Sequence, residues 1–277
     1  MRRWSAALIG LLAVLVFTGS RTAPARTYER LDATLWYQTA AEYRASAEQS
    51  YRLAKEMLEV ALKDETWTAA SEQGKDYSRL PPAVILDIDE TVLDNSPFQA
   101  QLIIDNTGFH RSMWKSWVRK SRARAVPGAL GFVAHAKSRG VEVFYVTNRE
   151  HEYESYTRSN LKRLGFPVSS KPDTVLTRKE RPGWDHDKSS RRRLVARDYR
   201  ILLLIGDHLN DFLSGTKVAP KERVKLAAKY KSHWGEKWIL LPNPLYGNWE
   251  AALYGFAYDL PRSEKLKRKY GKLHGFK

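Results

Sequence analysis

Five short, almost unbroken apolar runs dominate the chain after Pro81-Pro82: Ala83 to Leu86, Val141 to Val146, Thr174 to Leu176, Ile201 to Ile205 and Trp238 to Leu241. Between several of them lie stretches with helical spacing, at Leu130 to Ser138, Glu152 to Leu164 and Asp187 to Arg197. A strand that is apolar on both sides of its pleat must be covered on both faces, and strands alternating with helices run parallel. The pattern therefore predicts an α/β fold, a Rossmann-like parallel sheet with helices on both faces. In such a sheet ligands bind at the carboxyl ends of the strands. The residues that follow the runs have the chemistry for it. The first run ends in Asp87-Ile88-Asp89-Glu90-Thr91, the second in Thr147-Asn148-Arg149, and the fourth in Gly206-Asp207, with Asp211 close behind.

Upstream, residues 30 to 63 lack proline and glycine, and Leu31, Leu35, Tyr43, Ala47, Tyr51, Ala54, Leu58 and Ala61 recur at three- and four-residue steps. This spacing predicts an amphipathic helix, or two in series, with Trp36, Tyr43 and Tyr51 turned to a core. It is expected to be a helical N-terminal extension or cap. Further upstream, Arg2 and Arg3 precede a 12-residue apolar run from Ala6 to Phe17 and an Ala23-Pro24-Ala25 cleavage pattern. The run is short for a membrane span and suits a signal peptide. Residues 1–25 are accordingly expected to be removed on export, leaving a periplasmic or secreted protein without a stable membrane anchor. The rest reads as one domain: a helical segment over 26–80, an α/β core with cap insertions over 81–260, and a solvated basic tail over 261–277.

The 277 residues hold 47 Lys+Arg against 31 Asp+Glu, a net charge of +16, which favours anionic partners. There is no cysteine, which excludes disulfides, thiolate catalysis and Cys-ligated zinc. What remains is oxygen chemistry. Asp87 and Asp89, two residues apart, would share a face while a strand lasts, and two close carboxylates are costly to bury without a cation. Mg²⁺ prefers carboxylate and carbonyl oxygens, and Asp207 supplies a third acidic group from a neighbouring strand end.

The order D-x-D-x-T, Thr147-Asn148, a lysine, then G-D-x-x-x-D resembles the haloacid dehalogenase superfamily of phosphohydrolases. More narrowly, "DIDETVLDNSPF", "VFYVTNRE", "DKSSRR", "LLLIGDHLNDF" and "LPNPLYGNWE" resemble the class C bacterial acid phosphatases, over about Leu35 to Leu253. The resemblance implies that Asp87 attacks phosphorus and that Asp89 protonates the leaving alcohol and later deprotonates water. Asp87, Asp207 and the main-chain carbonyl of Asp89 would hold Mg²⁺. Thr147 and Asn148 would bind the phosphoryl oxygens, Lys188 would neutralise charge there, and Asp211 would orient Lys188 or support the metal shell. Lys171 and Lys179 also lie between the second and fourth motifs; Lys188 is the one inside a family word. Phe98 and Tyr246 stand where rings flanking a nucleotide base or aryl group are expected, while Trp249 reads as core. His208 departs from the usual wording, which has asparagine. The implied substrates are small phosphomonoesters, 5′-nucleotides and aryl phosphates, with no specific nucleic-acid partner, and analogy extends to a homodimer. Two other readings fit the residues: a phosphotransferase of the same superfamily, and a non-enzymatic basic surface protein binding nucleic acid or haem.

Overall fold

The computed structural model describes residues 29–276; the expected signal peptide lies outside them. The strands are β1 (Pro82–Leu86), β2 (Leu93–Asp94), β3 (Arg124–Ala125), β4 (Glu142–Glu150), β5 (Val175–Arg178), β6 (Arg200–Gly206) and β7 (Trp238–Leu240). The helices before β4 are α1 (Leu31–Thr39), α2 (Ala41–Lys63), α3 (Ser96–Ile104), α4 (Arg111–Arg119) and α5 (Ala129–Ser138). After it come α6 (Glu154–Leu164), α7 (Ser189–Asp198), α8 (Leu209–Phe212), α9 (Pro220–Lys229), α10 (Asn248–Leu253) and α11 (Arg262–Tyr270). The expected sheet is present: β5-β4-β1-β6-β7, parallel at every pairing. β2 and β3 form a separate antiparallel pair.

Alternation along β1 explains why its run is apolar throughout. Val84 and Leu86 face one core with Tyr51, Leu58, Phe132 and Ile205, while Ala83 and Ile85 face the other with Phe144, Val195, Leu204 and Trp238. The first core includes α2, the main helix of the expected N-terminal extension. This helix is one of the layers laid on the sheet, with Ala47, Tyr51, Ala54, Leu58 and Ala61 buried against α5 and the β6–β7 side. The predicted helix does divide in two, at Ala40, where the backbone is extended.

Two boundaries move with consequences for the site. β4 runs on to Glu150, which pairs with Arg178 of β5, so Thr147, Asn148 and Arg149 belong to the strand end itself. The third helical stretch begins at Ser189 rather than Asp187, with the Asp187 carboxylate accepting the Ser189 N–H at 2.8 Å just ahead of the first turn. The basic C-terminal segment is also more ordered than a solvated tail through α11. Lys269 pairs with Glu29 and Glu250, Arg30 with Glu250, and Arg262 with Glu29, which ties the last helix to the start of the described chain. No helix among the described residues is long and apolar enough to cross a membrane.

Candidate active site

The strand order places the tips of β1, β4 and β6 side by side, and these are the tips that carry the motifs. The Asp87 N–H donates to the Ile205 carbonyl at 2.9 Å, holding Asp87 in register with β6. The chain then turns sharply, the Val92 and Leu93 N–H groups both closing on the Ile88 carbonyl. Within the turn Glu90 takes φ 58, a left-handed conformation uncommon outside glycine. Side-chain contacts hold it there: its buried carboxylate accepts the Asn95 N–H at 2.7 Å and the Tyr246 hydroxyl.

A cleft of about 270 Å³ opens over these tips, lined in part by Asp87, Asp89, Asn148, Lys188, His208 and Tyr246. Of Lys171, Lys179 and Lys188, it is Lys188 that reaches it. Its Nζ lies 2.6 Å from Asp87 Oδ1 and 2.7 Å from Asp211 Oδ1, and its side chain is 3 % exposed. Lys179 instead pairs with Glu150, and Lys171 is exposed. Burial alone would lower the Lys188 ammonium's pKa, but Asp211 and Asp87 more than offset it and raise it. Asp211 is thus one of the two carboxylates that hold the Lys188 ammonium. Its second oxygen accepts the N–H groups of Asp207 and His208.

Asp89 is held from one side. Its Oδ1 accepts Arg149 Nε at 2.9 Å, Arg149 Nη2 at 2.8 Å and Asn95 Nδ2 at 2.8 Å. Arg149 is itself buried, placed over the Trp114 ring and bonded to Thr157 and Asn95. On the other flank Asn148 donates Nδ2 to the His186 carbonyl, while its Oδ1 accepts from Arg191. Arg191 is fully buried and also donates to the Thr147 carbonyl. Thr147 is fully buried, its hydroxyl oxygen accepting the Arg149 N–H at 3.0 Å.

Asp207 accepts from Thr91 through Oδ1 at 3.0 Å and from Asn243 through Oδ2 at 2.7 Å. Burial pushes the carboxyls of both Asp87 and Asp207 upward. Lys188 at Asp87, and His208 at Asp207, counter only part of that rise, while neighbouring aspartates add to it. The local charge explains the direction: Asp87, Asp207 and Asp211 against Lys188 sum to 3 − 1 = 2 negative charges in a buried cluster. A divalent cation would cancel that sum, and carboxylate and carbonyl oxygens suit a hard ion. The donor set fits the expected metal.

The two predicted rings part company. Tyr246 lines the cleft and anchors its hydroxyl on Glu90. Phe98 is not brought to the cleft; it is buried in an edge-on aromatic cluster with Phe109 and Trp114. Trp249, expected in the core, is 41 % exposed, its indole N–H on the Tyr246 carbonyl. Sequence reasoning gave no role to Arg149, Asn95, Arg191, Glu90 or Asn243. Two of them had a signal, since Arg149 directly follows Thr147-Asn148 and Asn95 follows the D-x-D turn.

Comparison with known proteins agrees with this geometry. Residues 16–249 match the family model described as HAD superfamily, subfamily IIIB (Acid phosphatase). The solved class C acid phosphatase of Bacillus anthracis is 36 % identical, with a TM-score of 0.80 over 90 % of this chain and 98 % of that one. Its tungstate-bound form gives 34 % identity and a TM-score of 0.79 over the same shares. A Stem 28 kDa glycoprotein of Glycine max is 26 % identical over 79 % of this chain and 74 % of its own length. Acid phosphatase 1 of Solanum lycopersicum is 27 % identical over 58 % of this chain, which spans 57 % of that relative.

Proposed function

Because this chain belongs to the HAD superfamily, subfamily IIIB (Acid phosphatase), and is a phosphomonoesterase, we propose that it works in two displacements through a phosphorylated Asp87. In the first, an Asp87 oxygen bonds to phosphorus as the ester P–O bond breaks, and Asp89 gives its proton to the departing alcohol oxygen. In the second, water attacks phosphorus, Asp89 takes the water's proton, and the Asp87–phosphorus bond breaks to release phosphate. The observation that carries this reading is the Lys188 ammonium set between Asp87 and Asp211 in the cleft, a buried positive charge at the nucleophile. It would neutralise phosphoryl oxygens as well as Asp87, the kind of fixed electrostatic help phosphoryl transfer needs.

The other side chains follow from their contacts. With three donors on Asp89 Oδ1, Oδ2 is the oxygen left to exchange a proton with substrate. Asn148, its carbonyl oxygen held by Arg191, keeps an amide hydrogen for a phosphoryl oxygen. The Thr147 hydroxyl offers another. Asp87, Asp207 and the main-chain carbonyl of Asp89 would hold Mg²⁺, which supplies charge neutralisation at the phosphoryl group when bound. The tungstate bound by the Bacillus anthracis relative is a tetrahedral oxyanion of phosphate's shape, and supports placing an anion here.

The substrates we assign are 5′-nucleotides and aryl phosphates, with Tyr246 as the ring beside the leaving group. Tyr258 lines the same cleft and adds a second aromatic surface. Base stacking on such a ring contributes roughly 1–3 kcal/mol whichever base it is. Residues 1–25 support export, and sequencing the N-terminus of the mature protein checks it. The central test is phosphate release from p-nitrophenyl phosphate and 5′-nucleotides. Activity should vanish with EDTA and return with Mg²⁺, and Asp87→Asn should be inactive. An Asp87→Asn protein as active as wild type refutes the mechanism. An added alcohol acceptor with phosphate tracked separates hydrolysis from transfer.

A further inference from the structure

Beyond Asn148, one flank of the cleft takes no part in the two displacements. His186 and Lys217 line it. The His186 carbonyl accepts Asn148 Nδ2 at 3.1 Å, so His186 stands one hydrogen bond from an amide assigned to the phosphoryl group. The segment before Lys217 brings it to the same turn. Ser214 Oγ donates to Asp187 Oδ1 at 3.0 Å, and Arg223 holds the Thr216 carbonyl at 2.7 Å.

Positive charge collects on this flank without matching carboxylates. Among the described residues Lys217 forms no ion pair. Arg191, fully buried, donates only to neutral oxygens: the Thr147, Asp185 and Asp187 carbonyls and the Asn148 side-chain amide. Arg178 shares the one carboxylate of Glu150 with Arg111 and Lys179. Arg178 Nη1 also lies 3.2 Å from His186 Nε2. A guanidinium only donates, so Nε2 accepts and the hydrogen of the ring sits on Nδ1. Burial lowers the His186 pKa, and the Arg178 and Lys217 charges lower it further, which keeps the ring in that neutral form near pH 7. The acids of the turn do not line the cleft. Asp185 faces a neighbouring depression over residues 179–185, and Asp187 accepts from the Ser189 N–H and the Ser214 hydroxyl. A single phosphate is already served by Lys188, Asn148 and Thr147, so Lys217 would stand idle beside a singly phosphorylated substrate.

We propose that Lys217 and His186 form a second anion subsite, which selects leaving groups that carry a second phosphate. This deepens the phosphomonoesterase reading given above and rests on it. The Lys217 ammonium pairs with the second phosphate and His186 Nδ1–H donates to it, while Arg178 and Arg191 add positive field from behind. A nucleoside 3′,5′-bisphosphate is a simple member of the class.

The test measures initial rates of phosphate release by the full chain with Mg²⁺, at fixed ionic strength. The substrates are adenosine 3′,5′-bisphosphate, 5′-AMP and p-nitrophenyl phosphate. Wild type should favour the bisphosphate over 5′-AMP by about tenfold in kcat/KM, expressed mainly in KM, as one charge-assisted contact to the second phosphate gives. Lys217→Met should erase that preference and leave the other two substrates within about threefold of wild type. Lys217→Arg, which keeps the charge, should retain it. Lys217 is exposed, and the wild-type preference itself needs no variant. Equal kcat/KM for the bisphosphate and 5′-AMP in wild type overturns the proposal. So does a uniform loss across all three substrates in Lys217→Met, which is what general steering of anions produces. Wild type that releases phosphate from none of the three has a different meaning: it removes the proposed function itself, and this subsite with it.

Discussion

Replacing Lys188 with methionine keeps most of the side chain's volume and deletes its charge. In the wild type the ammonium makes contacts of 2.6 and 2.7 Å to two buried carboxylates, Asp87 and Asp211. Deleting one partner of a buried ion pair costs about 3–5 kcal/mol, because the surviving charges stay desolvated and unpaired. Protonation gives these carboxylates a way out, so the lower end, about 3 kcal/mol, is the working figure. At about 2–4 °C per kcal/mol for a domain of this size, the melting temperature of metal-free protein should fall by about 6–12 °C. The loss has a pH signature. Burial, only partly countered by Lys188, holds the Asp87 pKa above its ordinary value in the folded protein. Folded protein then binds more protons than unfolded protein above about pH 3.9, and stability declines as pH rises toward the folded value. Removing the lysine raises that value further, so the gap between variant and wild type should widen with pH. Calorimetric scans of EDTA-treated protein between about pH 4 and 8 measure it. Turnover should drop by about 10²–10³, the usual effect of losing one stabilising charge or donor at the reacting group. A Lys188→Met protein that melts within about 2 °C of wild type across that range would refute the charge argument.

Arg149→Met strips two donors from Asp89 Oδ1, so alkyl phosphates should lose about 10²-fold in turnover while aryl phosphates with good leaving groups lose only a few-fold. A series of leaving groups reads this directly, and a uniform loss across the series would mean that Arg149 does not serve proton donation. Burial works to raise the Glu29 pKa, but the Lys269 hydrogen bond and charge, helped by Arg30 and Arg262, bring it below the ordinary value. The resulting stability is in place above about pH 4.3 and is lost as pH falls through the folded value. Glu29→Gln should therefore cost about 1 kcal/mol near neutrality after solvent screening, and its melting temperature should converge with wild type in strong acid.

The parallel sheet and the carboxylate tips were legible because strand burial on both faces leaves a local mark, an apolar run, and because the motifs directly follow the runs. The choice of Lys188 over Lys171 and Lys179 rested on a family word alone, since what distinguishes Lys188 physically is burial between residues 101 and 23 positions away. Arg149 and Arg191 escaped for the same reason. A buried arginine looks like any surface arginine until its partner, 60 or 44 residues distant, is brought to it. Helical spacing in residues 41–63 reveals an apolar stripe turned to a core without revealing that α5 and the β6–β7 side cover it. Phe98 and Tyr246 illustrate the limit for aromatic residues. Both lie in motif words, and only the packing of Phe109 and Trp114 around the first separates a core ring from a cleft ring.

The clasp between Glu29, Arg30, Glu250, Arg262 and Lys269 also orders events during synthesis. A ribosome makes the first half of this clasp more than two hundred residues before the second. The opening segment must therefore wait, unlatched, until the final helix emerges. Glu29 and Lys269 thus meet at one corner of the molecule, which makes that corner the natural seam for linking these two positions directly.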